Sequence, residues 1–295
     1  MASFDTESVL KLAKKYVEKY SHVPVPDSEF FQHAYAPTVL RTVCAIRHGL
    51  LCVSRDTDNT VVLRAAMLGC LHGPLNKSLE NLSYFSNQMP RTFAPKPDYS
   101  VRYWATKQLH APTVDVLKIL RKKLTRIEEH PLPKTGTFTY VRHGDSRLAT
   151  SLPASSLDFN VVVTSPPYYG MKTYVEDQWL RNWFLGGADH VKYGNDFQLQ
   201  HTGTDIFAKS LGQVWRNMAR TKSDELDMYI RFGIIPSCKI DAKALVQASL
   251  EESGVTWDVV RIKTAKTASS GKRQADQMAS DSSAAVEYDF HVRRI

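Results

Sequence analysis

Residues 161–170 read VVVTSPPYYG, and this stretch decides the fold. From Phe159 to Val163 nearly every position is apolar, which is typical of a strand that is covered on both faces. Pro166 and Pro167 then end the strand, and because proline has no N–H, the neighbouring carbonyls are left facing outward as acceptors. Tyr168 follows at once, at the strand end where open α/β sheets bind their ligands. This combination suits the binding of a planar base that carries an exocyclic amino group.

The stretch belongs to a region, beginning after Pro131, in which short apolar runs alternate with segments of helical periodicity. Such alternation predicts an α/β sheet. The predicted strands are 137–142, 159–164, 226–232, 255–262 and 285–292, and the predicted helices are 176–185, 205–220 and 242–253. Residues 131–295 are therefore expected to form an α/β domain.

Residues 1–130 are predicted to be mainly helical. Apolar residues recur at helical spacing over residues 7–20, and Asp5 is a suitable N-cap. Pro37 suits the start of a second helix and Pro112 the start of a longer one, because the first turn of a helix tolerates a missing N–H. A further helix is predicted around residues 63–71.

Residues 84–104 look different, because prolines interrupt a segment in which aromatic residues alternate with Arg91, Lys96 and Arg102. Aromatic rings between cations can stack on bases and bind phosphates, so residues 84–111 are one candidate for a DNA-contacting segment. An irregular connection whose rings face the core explains the same residues equally well.

The composition limits the class of protein. The 295 residues carry 38 Lys and Arg against 30 Asp and Glu, a formal charge of +8, and 43% are hydrophobic, as in an ordinary globular protein. No apolar run reaches membrane-spanning length and no signal pattern begins the chain, so we expect a cytoplasmic protein without membrane contact. The four cysteines lack C-x-x-C spacing and no H-E-x-x-H is present, so no metal site is expected. A pI near 9.2 agrees with a polyanionic partner.

The S-P-P-Y segment after an apolar strand resembles motif IV of the amino-methylating DNA methyltransferases. These enzymes use S-adenosylmethionine to make N4-methylcytosine or N6-methyladenine in double-stranded DNA. The resemblance implies that Ser165 and the carbonyl of Pro166, held by Pro167, accept hydrogen bonds from the amino group of a flipped base, and that Tyr168 stacks on that base. Serine at the first position is more similar to the cytosine-N4 type than to the adenine-N6 type. Nucleoid association through DNA follows from the same resemblance.

Further segments carry the resemblance along most of the chain. Residues 143–147, HGDSR, resemble motif III, which implies that Asp145 approaches the cofactor adenine; a plain turn aspartate is the alternative. Residues 174–183, YVEDQWLRNW, resemble the segment that closes the cofactor pocket, although its two tryptophans also suit a helix core. The residues assigned to cofactor binding are Asp145, Ser146, Thr164, Asp177, Gln178 and Trp179, and those assigned to DNA contact are Tyr169, Arg91, Lys96, Lys272 and Arg273.

Two features of the family are missing. None of the fourteen glycines forms a G-x-G pair, so the F-x-G-x-G loop of motif I is absent, and so is the acidic strand end of motif II. The sequence is thus expected to begin just downstream of these motifs. In the family's seven-stranded Rossmann-like sheet, of order 3-2-1-4-5-7-6, the two missing strands lie in the middle, so residues 159–163 would become a bare apolar edge.

The expected fold is therefore a partial methyltransferase sheet behind a helical N-terminal region. A second polypeptide would supply the F-x-G-x-G and acidic strands, giving a heterodimer in which neither chain methylates alone. Two alternatives stay open: a catalytically inactive methyltransferase-like subunit that binds nucleic acid or serves as a scaffold, and a truncated single-chain enzyme.

Overall fold

The structure is a computed structural model of the 295-residue chain. It describes residues 4–73, 81–88, 97–130, 141–151, 154–170, 176–193, 199, 202–234, 238–265 and 287–295. The chain divides into two compact units. The helical unit comprises Met1–Thr137 and Glu176–Tyr193, and the sheet unit comprises Phe138–Val175 and Gly194–Ile295.

Seven α-helices are described in the helical unit. They are α1 (Thr6–Lys19), α2 (Glu29–Ala34), α3 (Pro37–Leu51), α4 (Asp58–Cys70), α5 (Pro97–Thr106), α6 (Val116–Glu129) and α7 (Trp179–Phe184), the last preceded by a 3-10 turn, Glu176–Gln178. None of the helices in the described ranges combines the length and the apolar composition that a membrane crossing requires.

The helix starts follow from local chemistry. The carboxylate of Asp5 accepts a hydrogen bond of 2.8 Å from the backbone N–H of Ser8, which confirms the predicted cap of α1. The start of α3 at Pro37 is also confirmed. The helix expected to open at Pro112 begins at Val116 instead, because Asp115 caps it.

Residues 176–193 belong to the helical unit, although the sequence division at 130/131 assigns them to the α/β domain. The reason is the apolar face of α7. Trp179 is 4% exposed, and its ring centroid lies 4.9 Å from that of Phe30. The ring centroid of Trp183 lies 4.6 Å from that of Phe31. These tryptophans complete the core that α2 and α3 begin.

The segment 84–104 is more regular than predicted. Helix α5 starts at Pro97, and the rings of Phe85 and Trp104 are fully buried in the core of the helical unit. For these two rings the packed-connection interpretation is right, because a buried ring cannot stack on a base. Residues 89–96 lie outside the described residues.

The sheet unit is built on four strands, β1 (Val161–Thr164), β2 (Asp227–Gly233), β3 (Trp257–Thr264) and β4 (Glu287–Arg294). Their spatial order is β1-β2-β4-β3, with β1 parallel to β2 and β4 antiparallel to both of its neighbours. Four predicted strands are thus confirmed to within a few residues, and the fold is mixed α/β. Of the fifth, residues 137–140 lie outside the described residues, and Val141 and Arg142 are not in a strand.

One face of the sheet is covered by two helices, α8 (Thr204–Met218) and α9 (Ala242–Glu252). The core between sheet and helices contains Val162, Met228, Ile230, Phe232, Phe290 and Val292 from the strands and Phe207, Leu211, Trp215, Leu245 and Val246 from the helices. Helices α8 and α9 approach closely at Gly212, where an added Cβ would lie 2.8 Å from the backbone of Glu252.

Strand β1 differs from the expectation in its surroundings. Val162 is 7% exposed, but Val161 and Val163 on the opposite face are 51% and 79% exposed, so the strand is covered on one face and not on two. Among the described residues β1 pairs with β2 alone, which makes it an edge strand. The continuous apolar run that predicted burial on both faces is therefore exposed to solvent on one of them.

A buried histidine makes the stability of the helical unit depend on pH. His72 is 3% exposed, and neither ring nitrogen has a hydrogen-bond partner among the described residues. Burial, together with the nearby charge of Arg181, lowers its pKa from 6.5 to about 4. As the pH falls, the unfolded chain therefore binds a proton at this histidine before the folded chain does. The contribution of neutral His72 to the free energy of unfolding is thus complete above pH 6.5 and is lost as the pH falls towards 4.

We expect the free energy of unfolding to fall by about 2–3 kcal/mol more in the native chain than in His72→Gln between about pH 7.5 and about pH 4.5. Urea unfolding at the two pH values measures this difference. His110→Gln, at an exposed histidine, serves as the control and should behave like the native chain. Equal pH dependence in native chain and His72→Gln would refute the assignment.

Candidate functional site

The S-P-P-Y segment lies at the C-terminal end of β1, between two parallel pairings. Thr164, the last residue of β1, pairs with Ile230, and Tyr169 forms a parallel bridge with Ile234. The segment between them is therefore fixed to β2 at both ends. Ser165 is exposed, whereas Pro166 is buried. The hydroxyl of Ser165 is thus accessible at a strand end whose backbone is fixed.

Tyr168 is positioned by the sheet. Its hydroxyl donates a hydrogen bond of 2.6 Å to Oε1 of Glu287, the first residue of β4, and its ring meets that of Phe232 edge-on with centroids 6.0 Å apart. The side chain remains partly exposed. A half-buried ring that is held at both its edge and its hydroxyl is oriented before any ligand arrives.

Tyr169, predicted to contact DNA, is only 8% exposed. Its ring packs perpendicular to that of Phe207 on α8, with centroids 5.2 Å apart. The structure therefore places Tyr169 in the core of the sheet unit. The predicted contact of Tyr169 with DNA is corrected accordingly, because its ring is buried.

Asp145 and Ser146 lie in a turn that is attached to α8. The side-chain amide of Asn217 donates to the carbonyls of Ser146 and Arg147, each at 2.9 Å. The Arg147 guanidinium binds both carboxylate oxygens of Asp145 at 2.7–3.0 Å and lowers the pKa of that carboxyl. In this conformation the carboxylate is already occupied by an arginine of its own turn.

Sequence reasoning missed a groove on the open face of the sheet, next to Ser165. It has a volume of about 730 Å³, and its lining includes Thr164, Ser165, Tyr229, Arg261 and Lys263. No motif indicates it, since its residues come from four strands. The only sequence signal is the placement of polar residues at alternate positions of the strands.

Two ion-pair groups lie on this open face. Arg231 donates to both oxygens of Asp289, at 2.8 and 2.9 Å, and lowers the pKa of that carboxyl. Asp227 accepts from Arg293 at 3.0 Å and from His291 at 2.7 Å, and these partners lower its pKa in the same way. The pairs join β2 to β4 and fix the floor of the groove.

The remaining predicted site residues fall elsewhere. Asp177, Gln178 and Trp179 belong to the helical unit, where Trp179 is part of the core and Gln178 accepts a bond of 2.6 Å from Arg181. The burial of Trp179 agrees with the core interpretation of this tryptophan. Four predicted DNA contacts lie outside the described residues: Arg91, Lys96, Lys272 and Arg273. Within the described ranges no group of His, Cys, Asp or Glu is arranged to hold a metal ion.

Comparison of the chain with protein-family models, with curated protein sequences and with solved structures finds no match. The function is therefore argued from the site alone.

The attachment of the Asp145 turn to α8 can be tested by removing Asn217. We expect Asn217→Ala to lower the free energy of unfolding by about 1–3 kcal/mol, because two backbone carbonyls lose their donor. Amide hydrogen exchange should rise in residues 145–148. Gln213→Ala, one turn earlier on the exposed side of α8, is the matched control. If the two variants unfold alike, the amide does not hold the turn.

Proposed function

We propose that the chain is the base-binding part of an S-adenosylmethionine-dependent DNA amino-methyltransferase, with cytosine N4 as the favoured target atom. One observation carries the proposal: the S-P-P-Y segment follows a parallel strand whose outer edge is unpaired among the described residues. The segment supplies the exposed hydroxyl of Ser165 and an oriented aromatic ring at the strand end where α/β sheets bind ligands.

The arrangement of the strands supports the proposal. The order β1-β2-β4-β3, with β4 antiparallel, corresponds to 4-5-7-6 in the order 3-2-1-4-5-7-6 that the resemblance implies. In this correspondence β1 is the fourth strand, and the first strand of the family sheet would pair with its outer edge. That edge is where the described residues leave Val161 and Val163 exposed.

The two edges of the sheet differ in a way that favours a missing neighbour at β1. The outer strand β3 carries Asp258, Arg261 and Lys263, and charged residues keep an edge from pairing with other chains. Strand β1 reads VVVT and has no charged residue. An uncharged apolar edge is suited to pairing, so we assign it to a strand of a second polypeptide.

In the proposed reaction this chain holds the base. Ser165 and the carbonyl of Pro166 accept hydrogen bonds from the exocyclic amino group, which withdraws its lone pair from conjugation with the ring and aims it at the methyl donor. The ring of Tyr168 stacks on the base, an interaction of about 1–3 kcal/mol. The bond from Tyr168 to Glu287 fixes the ring in advance, so less order is lost when the base binds.

The described residues do not by themselves fit S-adenosylmethionine. The carboxylate of Asp145 is bound at both oxygens by Arg147, and the sequence has no G-x-G loop. The glycine loop and the acid that binds the ribose would therefore come from the second polypeptide.

The same ion pair favours one competing function, a catalytically inactive subunit that binds nucleic acid or serves as a scaffold. In such a subunit Asp145 would only stabilise its turn. The two functions differ in whether the assembled complex transfers a methyl group.

The decisive experiment is coexpression of the chain with the product of the adjacent reading frame, followed by transfer of tritiated methyl groups to DNA. We expect activity in the complex, none in either chain alone, and a loss of about tenfold or more in Tyr168→Ala because stacking is lost. Mass spectrometry of the digested DNA identifies the methylated base.

Tyr168→Phe is the matched variant, because it keeps the ring and removes the hydroxyl that bonds to Glu287. It should retain most of the activity. An equal loss in both variants would mean that the hydroxyl matters and not stacking. An inactive complex that still binds DNA would point to the scaffold function.

The unpaired edge predicts self-association of the purified chain. We expect Val163→Lys to reduce aggregation in sedimentation experiments and to abolish copurification with the second polypeptide, since a charge on an edge strand opposes pairing. Val163 is 79% exposed, so the substitution should leave the free energy of unfolding nearly unchanged. Val260→Lys, at an exposed position of β3, is the control and should assemble normally. Normal assembly of Val163→Lys would exclude pairing through β1.

A further inference from the structure

A second groove lies in the helical unit, between α1 and the residues that lead into α4. Its volume is about 790 Å³. Of the described residues, four cations line it, Lys11, Lys14 and Lys15 from α1 and Arg55 from the facing loop, against one carboxylate, Glu18. The groove is therefore a concave, positively charged surface.

Three of these cations have no acidic partner among the described residues. Lys14 lies 3.9 Å from Glu18, but no ion pair or hydrogen bond engages the side chains of Lys11, Lys15 or Arg55 within the described part of the chain. Asp56, which follows Arg55 in the loop, is bound at both oxygens by Arg64, at 2.9 and 3.0 Å. The charge of the groove is thus not neutralised from within.

The spacing of the lysines on α1 is unfavourable for the helix in the absence of a bound anion. Lys11 and Lys15 are four residues apart on one exposed face, and like charges at this spacing destabilise a helix. Glu7, one turn before Lys11 on the same helix, is paired with Arg121 of α6 and is therefore already engaged. Lys11 and Lys15 are therefore unpaired cations, within the described residues, on a concave surface, which is an arrangement that a bound polyanion would stabilise.

We propose that this groove binds the phosphate backbone of duplex DNA, independently of base sequence. The identity of the polyanion rests on the proposed function, in which duplex DNA is the substrate. A duplex carries a charge about every 1.7 Å along a narrow rod, which a concave groove accommodates better than it does a flat bilayer. The side-chain amide of Asn59 adds an uncharged donor to the lining.

The test measures binding of the full chain to a duplex of about 20 base pairs over a range of salt concentrations, without methyl donor. For the double variant Lys11→Glu/Lys15→Glu we expect affinity to fall at least about tenfold, and the slope of log K against log salt to decrease in magnitude by about 2. Lys11→Gln/Lys15→Gln removes the positive charges without adding negative ones. Its affinity should also fall, but by less than that of the charge-reversed variant. Circular dichroism checks that α1 remains folded.

The matched control is Lys118→Glu/Lys122→Glu, which makes the same charge change at the same spacing on the exposed face of α6. It should leave affinity and slope nearly unchanged. Equal losses in both charge-reversed variants would show that only net charge matters and would overturn the proposal. So would tighter binding to single-stranded RNA or to vesicles with about 30% phosphatidylserine than to the duplex, with the same sensitivity to Lys11 and Lys15.

Because no methyl transfer is measured, this result is separate from the proposed catalysis. If the groove variants lose DNA binding and the assembled complex transfers no methyl group, the DNA-binding groove is supported and the methyltransferase function is refuted. If the groove variants bind DNA normally and the complex is active, the methyltransferase function is supported and the DNA-binding groove is refuted.

Discussion

The parallel pairing of β1 with β2 is the interaction on which the rest of the sheet unit depends. It runs through Thr164 and resumes at Tyr169, so the four residues between them are anchored at both ends. Parallel strands are normally covered on both faces and paired on both edges. Here β1 has one covered face and one paired edge among the described residues, and Val163 is left in water. The segment that carries the exposed Ser165 is thus supported from one side only, within the described residues.

The support on that side is rigid because several constraints converge on α8. Gly212 allows α8 to approach α9, and the Trp215 indole donates to the Ser249 hydroxyl at 2.9 Å. Two residues further along α8, Asn217 holds the loop that contains Asp145. The helix that fills the core therefore also positions a turn at the edge of the site. A change in the packing of α8 would move that turn, whereas the open face has no comparable support within the described residues.

What could be predicted from the sequence was decided by local chemistry. The Asp5 cap, the proline start of α3 and four of the strands depend on neighbours within one element, and each was predictable. The core that receives Trp179 could not be predicted, because helical spacing shows that a residue is buried but not which unit buries it. The Arg147 pair with Asp145 was missed for a similar reason, since a motif names residue types and not their partners.

Net charge is a weak guide to binding partners, because it counts paired and unpaired cations alike, and the two grooves differ in this respect. On the face of the sheet opposite α8 and α9, two arginines are paired with carboxylates: Arg231 with Asp289, and Arg293 with Asp227. Cations that are already paired hold strands together, and they release few counterions when a polyanion approaches. In the α1 groove Lys11 and Lys15 lack such partners within the described residues. The excess positive charge of the chain is therefore effective where it is unpaired, so the two proposals place attraction of DNA and recognition of a base on different surfaces.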